Sequence, residues 1–132
     1  MRLKPHPAPF RPSLGDRGET AACGFLKGHG YEILEKNYKC KLGEIDVIAK
    51  RRGRLAFVEI KTRTNTRFGV PQEAVDLRKQ TKIFKVAQWY LKEKKIEKTP
   101  IAFDVVAVFW GEKQASEMHL ITDAFEKRDK VY

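Results

Sequence analysis

The sequence has few cysteines and histidines and no long apolar run. Neither of its two cysteines, Cys23 and Cys40, has a partner at the spacing of a metal site, and its three histidines are scattered, which excludes zinc fingers and other structural zinc sites. The apolar run at residues 105–110 is far shorter than the roughly 20 residues that a membrane-spanning helix needs. The first residues lack the apolar core and cleavage site of a secretion signal, so we expect a cytoplasmic protein with reduced thiols and no membrane partner.

Positive charge predominates in the chain. Lysine and arginine number 27 against 17 aspartate and glutamate residues, which gives a net charge of +10. A basic protein of this size favours polyanionic partners, and nucleic acid is the first of these. The alternatives are that the charge serves only solubility, or that it serves assembly into a larger particle that contains RNA.

Proline is concentrated at the start of the chain. Four of the six prolines lie within residues 1–14, together with three basic residues. Because proline disfavours both helices and central strands, we predict a flexible basic arm over residues 1–14. The remaining residues, 15–132, are of the right number for a single domain.

The rest of the chain predicts the order α-β-β-β-α-β-β. Hydrophobic periodicity and glycine or proline at the ends mark one helix at residues 15–27 and a second at residues 71–95. Five further segments predict strands, at residues 31–38, 42–49, 55–62, 101–109 and 118–121. This order is typical of an α/β fold in which helices flank a mixed sheet.

The most informative feature is a predicted hairpin with charged residues in both strands. Its strands read GEIDVIA (residues 43–49) and FVEIK (residues 57–61), and a basic turn with its tip at residues 52–53 joins them. A two-residue loop with glycine at a left-handed position fixes the register, which pairs Ile48 with Phe57.

This register predicts that one face of the hairpin is ionic at the end far from the turn. Asp46 lies opposite Glu59, and Glu44 lies opposite Lys61, because side chains alternate between the two faces of a strand. The other face is predicted to be purely apolar and to consist of Ile45, Val47, Val58 and Ile60.

The facing carboxylates indicate a metal site. Two carboxylates whose Cβ atoms are about 5 Å apart repel one another, and a divalent cation reverses the sign of that interaction. Mg²⁺ or Mn²⁺ held by Asp46 and Glu59, with Lys61 beside them to stabilise charge on a phosphate, would suit hydrolysis of a phosphodiester. The alternative is a cross-strand salt ladder in which Glu44 pairs with Lys61, but this ladder does not explain why Asp46 faces Glu59.

The runs GEIDVIA, FVEIKTR, FGVPQEAV and FDVVAV together resemble the bacterial YraN-like family. The resemblance covers roughly residues 15–109 and places the chain in the PD-(D/E)xK superfamily of restriction-endonuclease-like proteins, close to Holliday-junction resolvases. It implies an α-β-β-β-α-β core, Mg²⁺-dependent cleavage of DNA and, by analogy with the resolvases, a homodimer. The leading proline of the superfamily motif is replaced here by Ile45.

The resemblance also assigns roles to individual residues. The superfamily's metal-binding aspartate falls on Asp46, its acidic motif residue on Glu59 and its lysine on Lys61. The first-helix glutamate that is common in resolvases falls on Glu19. An alternative role exists for this glutamate, because Asp16 as N-cap and Glu19 three residues later would form a capping box.

Other polar residues have two interpretations each. Lys79 and Gln80 lie on the inward side of the second helix and could contact the scissile phosphate, or they could be a lysine with a packed stem and a capped amide. Arg63 and Arg67 follow the second hairpin strand and are predicted to contact the phosphate backbone. Asp104 interrupts an apolar strand, which predicts a buried salt bridge.

The sequence therefore predicts a metal-dependent DNA endonuclease that hydrolyses phosphodiester bonds, with branched or structured DNA as the candidate substrate. The expected catalytic residues are Asp46, Glu59, Lys61 and Glu19. Two alternatives remain at this point. One is a non-catalytic nucleic-acid-binding protein on a nuclease scaffold, and the other is an RNA-associated module without a metal.

Overall fold

A computed structural model describes residues 14–63, 75–110 and 115–126 of the chain. These residues form two helices, α1 (Leu14–Gly28) and α2 (Leu77–Glu93). They also form strands β1 (Glu32–Cys40), β2 (Gly43–Arg51), β3 (Arg54–Arg63), β4 (Ile101–Trp110) and β5 (Ala115–Ile121). The predicted order α-β-β-β-α-β-β is confirmed.

The strands form one mixed sheet in the order β1-β2-β3-β4-β5. Neighbouring strands are antiparallel except β3 and β4, which are parallel. A parallel pair needs a long crossover, and α2 lies within it. The result is the restriction-endonuclease-like fold that the sequence predicts. Within the described residues, neither helix is both long and apolar enough to cross a membrane.

Each face of the sheet carries its own hydrophobic core. On the α1 face, Ala22, Cys23 and Leu26 of the helix pack against Val47, Ala49, Ala56, Val58, Ile60, Val106 and Val108 of the sheet. On the α2 face, Ile83, Val86, Ala87 and Tyr90 of the helix pack against Ile45, Ile48, Leu55, Phe57, Phe103 and Val105. Because both faces are covered, residues 102–109 of β4 are buried without interruption, as their nearly continuous apolar sequence predicts.

Helix α1 approaches the sheet closely at Gly18. A Cβ atom added to Gly18 would overlap the Oγ1 atom of Thr62 in β3, so any larger residue would require Thr62 or the helix to shift. Asp16 lies inside the helix, which already includes Leu14, so the prediction that Asp16 is the N-cap is wrong. The predicted arm lies outside the described residues except for Leu14.

Helix α2 begins later than the sequence predicts. Its N-cap is Asp76, which has an extended backbone. The Asp76 side chain accepts the Lys79 N–H at 2.9 Å, and the helix begins at Leu77. The predicted start at Pro71 is therefore wrong. The helix ends at Glu93, and Lys95 has a left-handed φ of 54° that no helix continues through.

Candidate active site

The strands β2 and β3 pair only near their turn. The ladder runs from Arg51 and Arg54 to Val47 and Val58, and over this part the register is the predicted one. Beyond it, β2 continues along β1 while β3 continues along β4. The hairpin thus opens at the end that the sequence predicts to be ionic.

The side chain of Asp46 bonds across this opening. Its Oδ2 atom accepts the backbone N–H of Ile60 at 2.8 Å. The predicted direct pairing of Asp46 with Glu59 in the ladder is therefore not formed. Instead, the Asp46 side chain satisfies the Ile60 N–H, which has no partner in the ladder with β2. The same bond holds the Asp46 carboxylate next to Glu59.

An irregularity in β1 and β2 explains this orientation. Asn37, across from Asp46 in β1, has a left-handed φ of 52°, which asparagine tolerates better than most residues. The strand faces change at this point, because Ile45 packs on the α2 side and Val47 packs on the α1 side. The prediction that Ile45 shares a face with Val47, Val58 and Ile60 is therefore wrong for Ile45, while the other three do share the α1 face.

Glu59 is a buried carboxylate with an unmet oxygen. Only 2% of the residue is exposed, and Oε2 lies 3.5 Å from the Nζ atom of Lys79. Its Oε1 atom is buried and has no hydrogen-bond partner among the described residues. Burial first, and then the neighbouring charge of Asp46, raise the pKa of Glu59 to about 8. The carboxylate is held in a place where its negative charge needs more positive charge than the ion pair supplies.

Two lysines meet beside this carboxylate. Lys61 of β3 and Lys79 of α2 lie close enough for their charges to interact. Burial, the bond to Lys79 and the repulsion by its ammonium lower the pKa of Lys61 to about 8. Burial also disfavours charge on Lys79, but the bond to Lys61 and the charges of Glu59 and Asp46 outweigh burial and raise the pKa of Lys79. Lys79 is therefore the firmly charged member of the lysine pair.

The residues present fit a hard divalent cation that takes only one or two of its ligands from the protein. Within the described ranges, no group of three or more histidine, cysteine, aspartate or glutamate side chains could hold a metal ion. However, Mg²⁺ commonly takes only one or two carboxylates and fills its other positions with water and phosphate oxygens. Asp46 and Glu59 supply two carboxylates, and the unmet Oε1 of Glu59 is an oxygen that lacks a positive partner.

Glu19 lies on the other side of Asp46. The two residues line one cavity of about 320 Å³ between α1 and the first two strands. The cavity is completed by Thr20, Cys23, Lys36, Asn37 and Val47. Since Asp16 is not the N-cap, the capping-box explanation of Glu19 loses its partner residue. The structure brings Glu19 and Glu59 to opposite sides of the same aspartate.

The remaining predicted residues have more varied positions. The Nε2 atom of Gln80 donates to the Val75 carbonyl at 2.8 Å, which agrees with a capped amide. The side chain of Arg63 and all of Arg67 lie outside the described residues. Glu44 is exposed, and no ion pair joins it to Lys61 in the described part of the chain.

Among the residues that the structure describes, Asp104 does not form the predicted salt bridge. Its carboxylate accepts the Tyr31 hydroxyl at 2.7 Å and the Asp123 backbone N–H at 2.9 Å. Arg51 lies over the Tyr31 ring at 4.9 Å, so a cation is near but it contacts the tyrosine. The prediction fails because a hydroxyl and a backbone N–H can satisfy a buried carboxylate as well as a lysine or arginine can.

Comparisons with known proteins place the chain in one family. The sequence signature of the Uncharacterised protein family UPF0102 matches residues 18–108, which include Glu19, Asp46, Glu59, Lys61 and Lys79. The chain is 47% identical over 114 residues to a UPF0102 protein of Geotalea daltonii, covering 86% of this chain and 90% of that one. It is 43% identical over 113 residues to a UPF0102 protein of Caldicellulosiruptor saccharolyticus, covering 85% and 96%. A UPF0102 protein of Clostridium botulinum is 44% identical over 115 residues, covering 86% and 94%.

Proposed function

Since the chain belongs to the UPF0102 family, the YraN-like group of the PD-(D/E)xK superfamily, we propose that it is a metal-dependent DNA endonuclease. One observation carries the proposal. Glu59 is buried beside Asp46 with one carboxylate oxygen unmet in the described part of the chain, and two lysines lie next to it.

A purely structural role does not account for this arrangement. A buried carboxylate destabilises the fold unless it is well paired, and a second carboxylate beside it makes the pairing harder. An apolar residue of similar size at position 59 would avoid both costs. Strongly shifted pKa values within such a group are more typical of functional sites than of ordinary core. We therefore assign Asp46 and Glu59 as ligands of Mg²⁺ or Mn²⁺.

The ion would supply positive charge to the oxygens of the scissile phosphate when it is bound. The backbone of β3 also directs an oxygen atom toward the side of the proposed ion. In a strand, the N–H and the C=O of one residue point to the same side, so the Ile60 carbonyl faces the Asp46 side, as its N–H does.

Lysine and glutamate side chains provide the rest of the chemistry. Lys61 projects on the same strand two residues after Glu59, where its ammonium can stabilise the charge that develops on the phosphate. Hydrolysis adds water across one P–O bond, and the oxygen that leaves takes up a proton. Glu19, on the far side of Asp46, can hold the water in position.

Nucleic acid would approach at the open end of the hairpin. Arg63 ends β3 two residues after Lys61, and Arg67 follows it, so we propose both as contacts to the phosphate backbone. Lys79 and Gln80, at the N-terminal end of α2, complete the proposed contacts, since Gln80 uses only one of its two amide hydrogens for Val75. A homodimer would suit a branched DNA substrate with two-fold symmetry.

A cleavage assay on a panel of DNAs tests this function. Linear, nicked, flapped and four-way DNAs are incubated with the protein in Mg²⁺, Mn²⁺ or EDTA. We expect cleavage of at least one DNA in either metal, none in EDTA, and none by the Asp46→Asn variant. Tight binding of DNA without cleavage in any metal would instead support a non-catalytic nucleic-acid-binding protein.

A further inference from the structure

Lys79 forms the one ion pair that Glu59 makes among the described residues. The two partners differ in their freedom to move. The side chain of Glu59 is 3% exposed, whereas that of Lys79 is 41% exposed. The backbone of Lys79 is fixed by its N–H bond to Asp76, so any movement of its ammonium must come from its long, flexible stem.

We propose that Lys79 is a displaceable counter-ion of Glu59, which pairs with this carboxyl group until a divalent cation replaces Lys79 and any proton on Glu59, and which then binds a phosphate of the nucleic acid. The inference rests on the metal site proposed above. It assigns to Lys79 a role in positioning and in coupling, and this role differs from that of Lys61 in the chemical step.

The contacts of Glu59 support the first half of this proposal. The ion pair with Lys79 uses Oε2 and leaves Oε1 without a partner in the described part of the chain. A divalent cation between Asp46 and Glu59 could satisfy the unmet oxygen, but it would repel a lysine that stays 3.5 Å from the same carboxylate. The ammonium and the divalent cation therefore compete for one carboxylate.

The positions of Lys61 and Lys79 indicate which of the two lysines moves when a cation binds. Lys61 belongs to the same strand as Glu59, whereas Lys79 reaches Glu59 from α2. Lys61 also lies near Lys79, and because two ammonium groups repel one another, a departure of Lys79 removes that repulsion. Displacement of Lys79 relieves its repulsion by the divalent cation and its repulsion by Lys61. An arriving phosphate then offers the Lys79 ammonium a new partner.

Metal and nucleic acid should therefore strengthen each other's binding. The cation releases Lys79 toward the phosphate, and the phosphate draws Lys79 away from Glu59. By thermodynamic linkage, each ligand must raise the affinity of the other by the same factor.

Calorimetric titration with MnCl₂ in the absence of DNA tests the competition. The Lys79→Met variant should bind Mn²⁺ about ten-fold more tightly than the parent, within the usual range of coupling between sites. The matched control is Lys82→Met, which removes one positive charge from an exposed residue of the same helix and should leave the affinity unchanged. Lys79→Arg keeps the charge and should stay close to the parent. Circular dichroism verifies that each variant is folded, and Lys79→Gln replaces the methionine variant if that one is not.

The outcomes separate this inference from the proposed function. Mn²⁺ binding by the parent, with equal or weaker binding by Lys79→Met, overturns the counter-ion role and leaves the metal site intact. No Mn²⁺ binding by the parent overturns the metal site and the inference together. A merely structural role of Lys79 would not tighten Mn²⁺ binding when the lysine is removed.

A second titration tests the coupling to nucleic acid. Affinity for a four-way DNA is measured in Ca²⁺ and in EDTA, and the gain in Ca²⁺ should be several-fold larger for the parent than for Lys79→Met. Lys82→Met should show the gain of the parent. Equal gains in the parent and in Lys79→Met would overturn the proposed transfer of Lys79 to phosphate.

Discussion

The Asp46 carboxylate accepts the backbone N–H of Ile60 at 2.8 Å and thereby takes the place of a ladder partner between β2 and β3. The ladder of the hairpin ends just before this bond, which holds the aspartate beside the buried Glu59. The local break in the sheet and the candidate metal site thus lie at the same place. A substitution that keeps the bond but removes the charge should separate the structural role of Asp46 from its functional role.

Asp46→Asn is that substitution. Its amide oxygen can still accept the Ile60 N–H, so the fold should persist, and loss of carboxylate repulsion should leave the metal-free melting temperature equal or higher. Mn²⁺ at about 100 times its dissociation constant should stabilise the parent by about 2.7 kcal/mol, which corresponds to roughly 10 °C in a chain of this size. Thermal melts should show this rise in the parent and none in Asp46→Asn.

The control for this experiment is Glu44→Gln, which removes one exposed carboxylate from the same strand. It should keep the full response to Mn²⁺. An Asp46→Asn variant that still melts higher in Mn²⁺ would place the metal elsewhere.

The raised pKa of Glu59 predicts a dependence of stability on pH in the metal-free protein. Since this pKa is about 8 in the folded protein against an ordinary 4.5, the folded state retains a proton that the unfolded chain loses between these values. Its contribution to stability is full below pH 4.5 and is lost as pH rises through 8. Urea unfolding of the parent between pH 5 and pH 8 should therefore show a decline that Glu59→Gln lacks. The same decline in both proteins would contradict the shift.

The lowered pKa of Lys61 acts in the opposite direction at higher pH. It is about 8 in the folded protein against an ordinary 10.5, so its contribution to stability grows as pH rises between these values. The joint contribution of Glu59 and Lys61 to the stability of the folded protein is therefore lowest near pH 8.

The close approach of α1 to β3 predicts opposite effects of two glycine substitutions in one helix. Gly18→Ala should destabilise the protein by about 1–3 kcal/mol, because its Cβ atom would overlap Thr62 and force the helix outward. Gly24→Ala has open space around the added atom and should stabilise the helix by roughly 0.5–1 kcal/mol. Chemical denaturation measures both. Equal changes would mean that α1 does not approach β3 at Gly18.

The sequence predicts the fold well because its periodicities are long and unambiguous. The element order, the two-sided burial of β4 and the register near the hairpin turn all follow from the spacing of apolar residues and from Gly53. Helix starts are less well predicted. Proline at position 71 suits a first helical turn, but the side chain of Asp76 provides an N-cap five residues later.

The site is predicted only in part, for reasons that concern single residues. Alternation along a regular strand places Asp46 opposite Glu59. It cannot anticipate the left-handed backbone of Asn37, near which the side chains switch from one face of the sheet to the other. Contacts between distant segments are also invisible to a strand pattern. Lys79 is recognisable as an inward-facing lysine, but its contact with Lys61 depends on how α2 lies across the sheet.

Replacing Lys61 separates an enzyme from a binding protein. Lys61→Met keeps most of the aliphatic volume and removes the ammonium, so folding and Mn²⁺ binding should persist. Affinity for DNA in Ca²⁺ should fall by no more than the loss of one phosphate contact. Cleavage in Mg²⁺ should fall by about 10²–10³, the scale for removing one preorganised group that stabilises charge. A small loss in binding with a large loss in rate is the signature of an interaction made in the transition state. Lys82→Met should cleave at the rate of the parent, and cleavage by Lys61→Met at that same rate would assign the activity to another site or to a contaminant.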